Sequence, residues 1–197
     1  MKEIVNFFYE LGNLKRVKRS GWWRLGIKDS ENIAEHSHRA AIIAYVLAKL
    51  EKANAEKAAV ICLFHDIAEV RIGDIDKVNA RYIDTKHVEK KALKEQVSKL
   101  PENIGKEIVS FFDDIDNKKT KEGIIAHDAE QLECAIQAKE YLEVGYKGTE
   151  KWIENVKNKR LITKTARNLL DTMEKTSSME WWQHLSKIPD DTKYRKK

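Results

Sequence analysis

Apolar residues along this chain recur three and four apart far more often than they alternate, and that spacing predicts helices. Between residues 33 and 51, Ala40, Ile43, Leu47 and Leu50 mark one face of such a helix. The same reading places helices near 2–13, 55–69, 79–99, 102–115, 119–144, 161–176 and 178–185, with a shorter helical piece around 149–157. A loop, RVKRSGWWRLGIKDSEN, separates the first two. Only two prolines and eight glycines punctuate the chain, so the expected fold is all-α. The length of 197 residues suits a single domain, expected over 1–188 with a motif-bearing core of about 4–145, followed by a frayed charged tail at 189–197.

The polar residues that interrupt the apolar faces carry the chemistry. His36 precedes Ala40, Ile43, Leu47 and Leu50 on the stripe that faces the core. In FHDIAEVRIGD, His65 and Asp66 directly follow an apolar run, and Glu69 lies one turn further on, beside both. In GIIAHDAEQLECAI, Asp128 falls on the line of Ile124, Leu132 and Ala135, where a carboxylate costs several kcal/mol unless neutralised or coordinated. Singly, each has an ordinary explanation: a hydrogen-bonded core histidine, or an acid at a satisfied helix end. Together, two imidazoles and two carboxylates directed inward from three helices suit one divalent transition metal per chain, Mn, Fe, Co or Zn rather than Ca.

Composition narrows the class. The net charge of +5 and pI near 9.0 hint at an anionic partner, but the lysines alternate with glutamates, as in EKANAEK and VEKKALKEQ. That is the pattern of solvated helix faces rather than of a nucleic-acid patch. Cys62 and Cys134 sit within apolar helical patterns and read as reduced core thiols. The first residues lack a secretory pattern and no run reaches 18 apolar residues, so no membrane association is expected and a cytoplasmic location is.

The order EHS, HD, D on helices resembles the HD-domain superfamily of metal-dependent phosphohydrolases. RSGWW, SENIAEHSHR, HDIAEVRIGDI and HDAEQLE, in that order, are similar to its 5′-deoxynucleotidase branch. The resemblance implies a single-domain helical bundle, a homodimer, and a mononuclear site held by His36, His65, Asp66 and Asp128. It implies that Glu69 acts near the attacking water, and that Asp74 positions that water or the sugar. It further implies that Arg19 and Trp22 contact the nucleotide, the substrate being a small deoxynucleoside 5′-monophosphate. His38 is read as packing, Trp23 as structural, and Trp181 and Trp182 as closing the core or an oligomer contact. His87, His127 and His184 are placed off the site face or far from the motifs. The rival readings are another HD activity, on nucleoside triphosphates or cyclic nucleotides, and a non-catalytic basic helical module that binds nucleic acid.

Overall fold

The computed structural model describes residues 1–183 and 185; the tail at 189–197 and His184 lie outside the described residues. The described chain is helical throughout: α1 (Lys2–Leu11), α2 (Ile33–Glu51), α3 (Ala55–Phe64), α4 (Glu69–Ile72), α5 (Thr85–Val97), α6 (Glu102–Asn117), α7 (Lys121–Glu143), α8 (Glu150–Lys159), α9 (Lys164–Lys175) and α10 (Glu180–Gln183). Helix starts follow local chemistry. Asn32 and Glu35 form a reciprocal capping box at the head of α2, and Asn54, Asp84, Thr120 and Thr163 cap α3, α5, α7 and α9.

Two departures from the sequence-based expectation bear on function. The helix expected over 55–69 ends at Phe64, and the chain passes through turns before α4. Contacts there tighten to the i to i+3 kind: the Glu69 amide donates to Asp66 O at 3.0 Å and the Arg71 amide to Ala68 O at 3.0 Å. His65 and Asp66 therefore project from a helix end rather than from a helix side. Secondly, the helix expected from 79 begins only at Thr85, after a short 3-10 turn at Asn79–Arg81.

Helix α2 packs against α3 and α7, and α7 also carries α6, α8 and α9. The α6–α7 approach is close: a Cβ on Gly123 would sit 2.1 Å from Asp114 O, so only glycine fits. Buried side chains form two clusters. One, around Leu47, Ile61, Ile125, Leu132 and Leu170, joins α2, α3, α7 and α9. The other, around Phe7, Ile33, Ile67, Leu93 and Phe112, joins α1 to α5 and α6. Ile61 and Cys62 belong to the first cluster and Ile67 and Ala68 to the second. The His65–Asp66 turn thus lies at the seam, where helix packing leaves a cavity instead of a continuous core.

Candidate metal centre and substrate cavity

Three side chains offer ligand atoms within 4.8 Å of one another: His36, His65 and Asp66. Each imidazole is oriented through its other nitrogen. His36 Nδ1 meets the Glu133 carboxylate, and His65 Nδ1 lies 2.6 Å from Cys62 O. Both contacts leave Nε2 facing the cluster, the arrangement that metal-binding histidines show. His36 Nε2, His65 Nε2 and Asp66 Oδ2 are all buried, and none has a hydrogen-bond partner among the described residues. His65 Nε2 is 3.0 Å and His36 Nε2 3.7 Å from Asp66 Oδ2, yet neither contact has the geometry of a hydrogen bond. Three convergent, buried, unsatisfied donor atoms are costly unless something occupies the point they share. The donor set of two nitrogens and one oxygen fits a divalent transition metal.

The electrostatics differ between the two imidazoles. Burial and the Arg19 charge push the His36 imidazole down to about 3, so it is neutral and can ligate. Burial would do the same to His65, but Asp66 outweighs it and raises that group to about 9. Burial works against the Asp66 carboxylate, but His65, His36 and Arg19 overcome it and hold the group below the usual range. Burial, with Asp66 and Asp74, pushes Glu69 well up; burial and Asp66 raise Glu89 to about 7. Burial is the larger cause for both, and the acidic neighbours add a negative potential that a cation relieves.

Behind His36 stands a fully buried support. Glu133 accepts from Arg39 Nε and Nη2 at 2.9 and 2.8 Å, and Arg39 is itself held by Glu140 and Gln137. Nothing in the sequence reading marks Glu133; its place four residues after Ala129 and three before Ile136 was the available signal.

Asp128 is elsewhere. Its Oδ1 accepts from the Ile162 amide at 2.9 Å, and its Oδ2 from the Thr163 amide and hydroxyl at 2.7 and 2.8 Å. Those bonds fix the loop whose Thr163 caps α9. Asp128 does not join the group formed by His36, His65 and Asp66, because the loop before α9 satisfies it where a metal was expected to. The acid of α7 that does face the site is Glu130. It lines the cavity, and its charge acts on His65 and Glu89.

The cavity next to the cluster measures about 550 Å³. Arg19 lies on its wall, Nη1 at 3.6 Å from Asp66 Oδ2 and 3.5 Å from Asp74 Oδ1. Two neighbours hold it there. The Arg19 amide donates to Glu31 O at 3.0 Å, and Asp74 Oδ2 accepts from the Ser20 amide and hydroxyl at 2.6 and 2.7 Å. Gly73, at φ 75°, makes the turn that swings Asp74 toward this loop. Glu69 also lines the cavity, with Oε2 buried and unpartnered. Trp22 is 2% exposed, edge-on to Tyr141 and 5.6 Å from Trp152, with its indole N–H donated to Glu31 Oε1 at 3.0 Å.

Other placements differ from expectation. Trp23 is 57% exposed and Trp181 72%, so neither packs in the core of the chain, and Trp182 is exposed as well; of the two alternatives for Trp181 and Trp182, closing the core is the one this excludes. Trp22 takes the buried place of the pair, which leaves its neighbour pointing outward. His38 is exposed because it lies about 200° around α2 from His36. His127, expected off the site face, lines the cavity one turn from Glu130.

Comparison with known proteins places these features in a family. The family model described as HD domain matches residues 11–171. The 5′-deoxynucleotidase HDDC2 of Xenopus laevis is 31% identical over 73% of this chain and 71% of its own. A conserved hypothetical protein from Pyrococcus furiosus superposes with a TM-score of 0.74 at 28% identity, covering 87% of this chain and 99% of that one. The cyanophage S-2L HD phosphohydrolase, solved with dA and one catalytic Zn2+ ion, shares the fold at 18% identity and a TM-score of 0.55, over 85% of this chain and 96% of that one. The chain belongs to the HD-domain family.

Proposed function

We propose that this protein is a metal-dependent 5′-deoxynucleotidase, hydrolysing deoxyribonucleoside 5′-monophosphates to deoxynucleosides and phosphate. The observation that carries this reading is the convergence of three unsatisfied buried ligand atoms beside a cavity that also presents Arg19 and Glu69. The names of the curated relatives support the same activity.

His36, His65 and Asp66 would hold one Mn, Co, Zn or Fe ion, with Glu130 supplying a further carboxylate oxygen from α7. When bound, such an ion supplies Lewis acidity toward the phosphoryl group and the attacking water. The chain's own residues do the rest. Arg19 offers a guanidinium fork to the phosphate, from a position held by Asp74 and the Glu31 carbonyl. Burial and its acidic neighbours push the Glu69 carboxyl well up, which favours its protonated form for giving a proton to the leaving 5′-oxygen and later recovering one from water. Asp74 is engaged with Ser20 and Arg19, so its first contribution is to place the phosphate-binding loop; contact with the 3′-hydroxyl is a second one. Trp22 serves as the wall against the sugar. Its only polar atom is already committed to Glu31, so a 2′-hydroxyl pressed against the ring has no partner there.

A homodimer in the cytoplasm belongs to the same reading. Among the described residues no helix is long and apolar enough to cross a membrane. The rival triphosphate or cyclic-nucleotide activity makes a different demand on the cavity, and one assay separates them. Phosphate release is measured from deoxy- and ribonucleoside mono- and triphosphates and cyclic nucleotides, each with several divalent ions. Deoxynucleoside monophosphates are expected to turn over roughly ten- to a hundredfold faster than their ribo counterparts. Equal kcat/KM for a deoxy and ribo pair refutes the sugar selectivity, and turnover of triphosphates alone refutes the monophosphatase assignment.

A further inference from the structure

The cavity is larger than phosphate and sugar alone require, and one wall has no role in the chemistry above. It is formed by Gln131 on α7, Arg160 just after α8, and Lys77 from the loop after Asp74. Arg160 Nη1 donates to Gln131 Oε1 at 2.9 Å. Gln131 is 5% exposed, and its Nε2 donates to no described protein group. Among the described residues no carboxylate comes within ion-pairing distance of Arg160 or Lys77, whereas Arg19, Arg24 and Arg39 are each paired. Their charges act on each other: burial and the Arg160 charge push the Lys77 ammonium down. Two cations and an amide donor therefore share one wall without a carboxylate partner among the described residues, beside the Trp152 ring that also lines the cavity.

We infer that this wall reads the nucleobase and selects an edge built of hydrogen-bond acceptors, guanine above adenine. The inference rests on the nucleotidase reading and deepens it. An arginine donates bidentately to guanine O6 and N7, whereas a glutamine recognises adenine only by using its amide oxygen and nitrogen together. Here the oxygen of Gln131 already accepts from Arg160, which turns its free N–H groups toward a ligand. The N6 amino group of adenine, itself a donor, would face two cations and the Gln131 N–H groups. Trp152 supplies a face on which either base can stack, which gives affinity without choosing between them.

The test is calorimetric titration at low temperature of the Mn2+-loaded Glu69→Gln protein, whose turnover is expected to be roughly 10²–10⁴-fold slowed. The dissociation constant for dGMP should be about tenfold or more lower than that for dAMP. Arg160→Met in the same background should bring the two constants together while leaving the constant for inorganic phosphate unchanged. Gln131→Glu retains an oxygen for Arg160 and replaces the amide donors with an acceptor, and should lower the ratio as well. Equal affinity for dGMP and dAMP in the parent protein, or a preference that survives Arg160→Met, overturns the inference. Phosphate release by the wild type is scored separately. A base preference without phosphate release from either nucleotide rejects the nucleotidase activity and leaves base recognition standing; release from both with equal affinities rejects base recognition alone.

Discussion

Asp66 and Asp128 look alike in the sequence: each follows a histidine, and each sits where an apolar helix face predicts burial. In the structure they differ in one respect. Asp128 has both oxygens satisfied by two backbone amides and a hydroxyl, whereas Asp66 Oδ2 is buried without a hydrogen bond and faces two imidazole nitrogens in the same condition. Burial of a carboxylate therefore does not mark a ligand. Unspent hydrogen-bonding capacity, aimed at a shared point, does.

Substitution should separate the two aspartates most widely in activity. Asp66→Ala is expected to abolish phosphate release. Asp128→Ala should leave the cluster intact and instead destabilise the fold by about 1–3 kcal/mol, because two amides at the head of α9 lose their acceptor. Denaturant titration and phosphate assays on both variants check this; an inactive but fully stable Asp128→Ala protein would make the two sites alike after all.

Glu69 tests whether an unsatisfied acid within the cavity does chemistry without binding metal. Glu69→Gln keeps the shape and is expected to lower kcat by roughly 10²–10⁴-fold. Turnover near the wild-type rate would reduce Glu69 to a helix-end residue.

A smaller effect is expected one layer back. Glu133 fixes the His36 tautomer through Nδ1, so Glu133→Gln should weaken metal affinity by about 10–100-fold. Competition against a chromogenic chelator measures it, and unchanged affinity would show that His36 needs no such support.

The smallest effect concerns acid stability. Burial would raise the Asp128 carboxyl, but the His127, Thr163 and Ile162 contacts outweigh it and hold the group below its ordinary value of 3.8. A carboxylate with a depressed folded pKa contributes stability above its unfolded value, and loses it as pH falls through the folded one. Wild-type stability should therefore drop as pH goes below about 3.8. Asp128→Asn should show a shallower acid limb in the same denaturant titrations; parallel limbs would contradict the assignment.

The fold was largely legible because helix periodicity and capping residues report local geometry. The starts of α2, α3 and α6 follow from Asn32, Asn54 and Pro101. His36, His65 and Asp66 were legible because they break apolar stripes. Glu130 was not, since it shares a polar-looking line with His127 and Gln131, which reads in sequence as a solvated face. In the structure that line faces the cavity, because α8 and the loop after Asp74 enclose it. Asp128 lies about 200° around α7 from Glu130, so the apolar stripe pointed to a residue that faces the loop before α9 and not the cavity. What satisfies a buried acid comes from chain far away, here Ile162 and Thr163, and no local pattern encodes that.

Metal content, measured side by side on purified wild type, Asp66→Ala and Asp128→Ala after incubation with Mn2+, Co2+ or Zn2+ and gel filtration, tests the central claim most directly. About one ion per chain is expected in the wild type and in Asp128→Ala, and none in Asp66→Ala. No uptake by the wild type, or equal uptake by Asp66→Ala, would contradict a metal centre built on His36, His65 and Asp66.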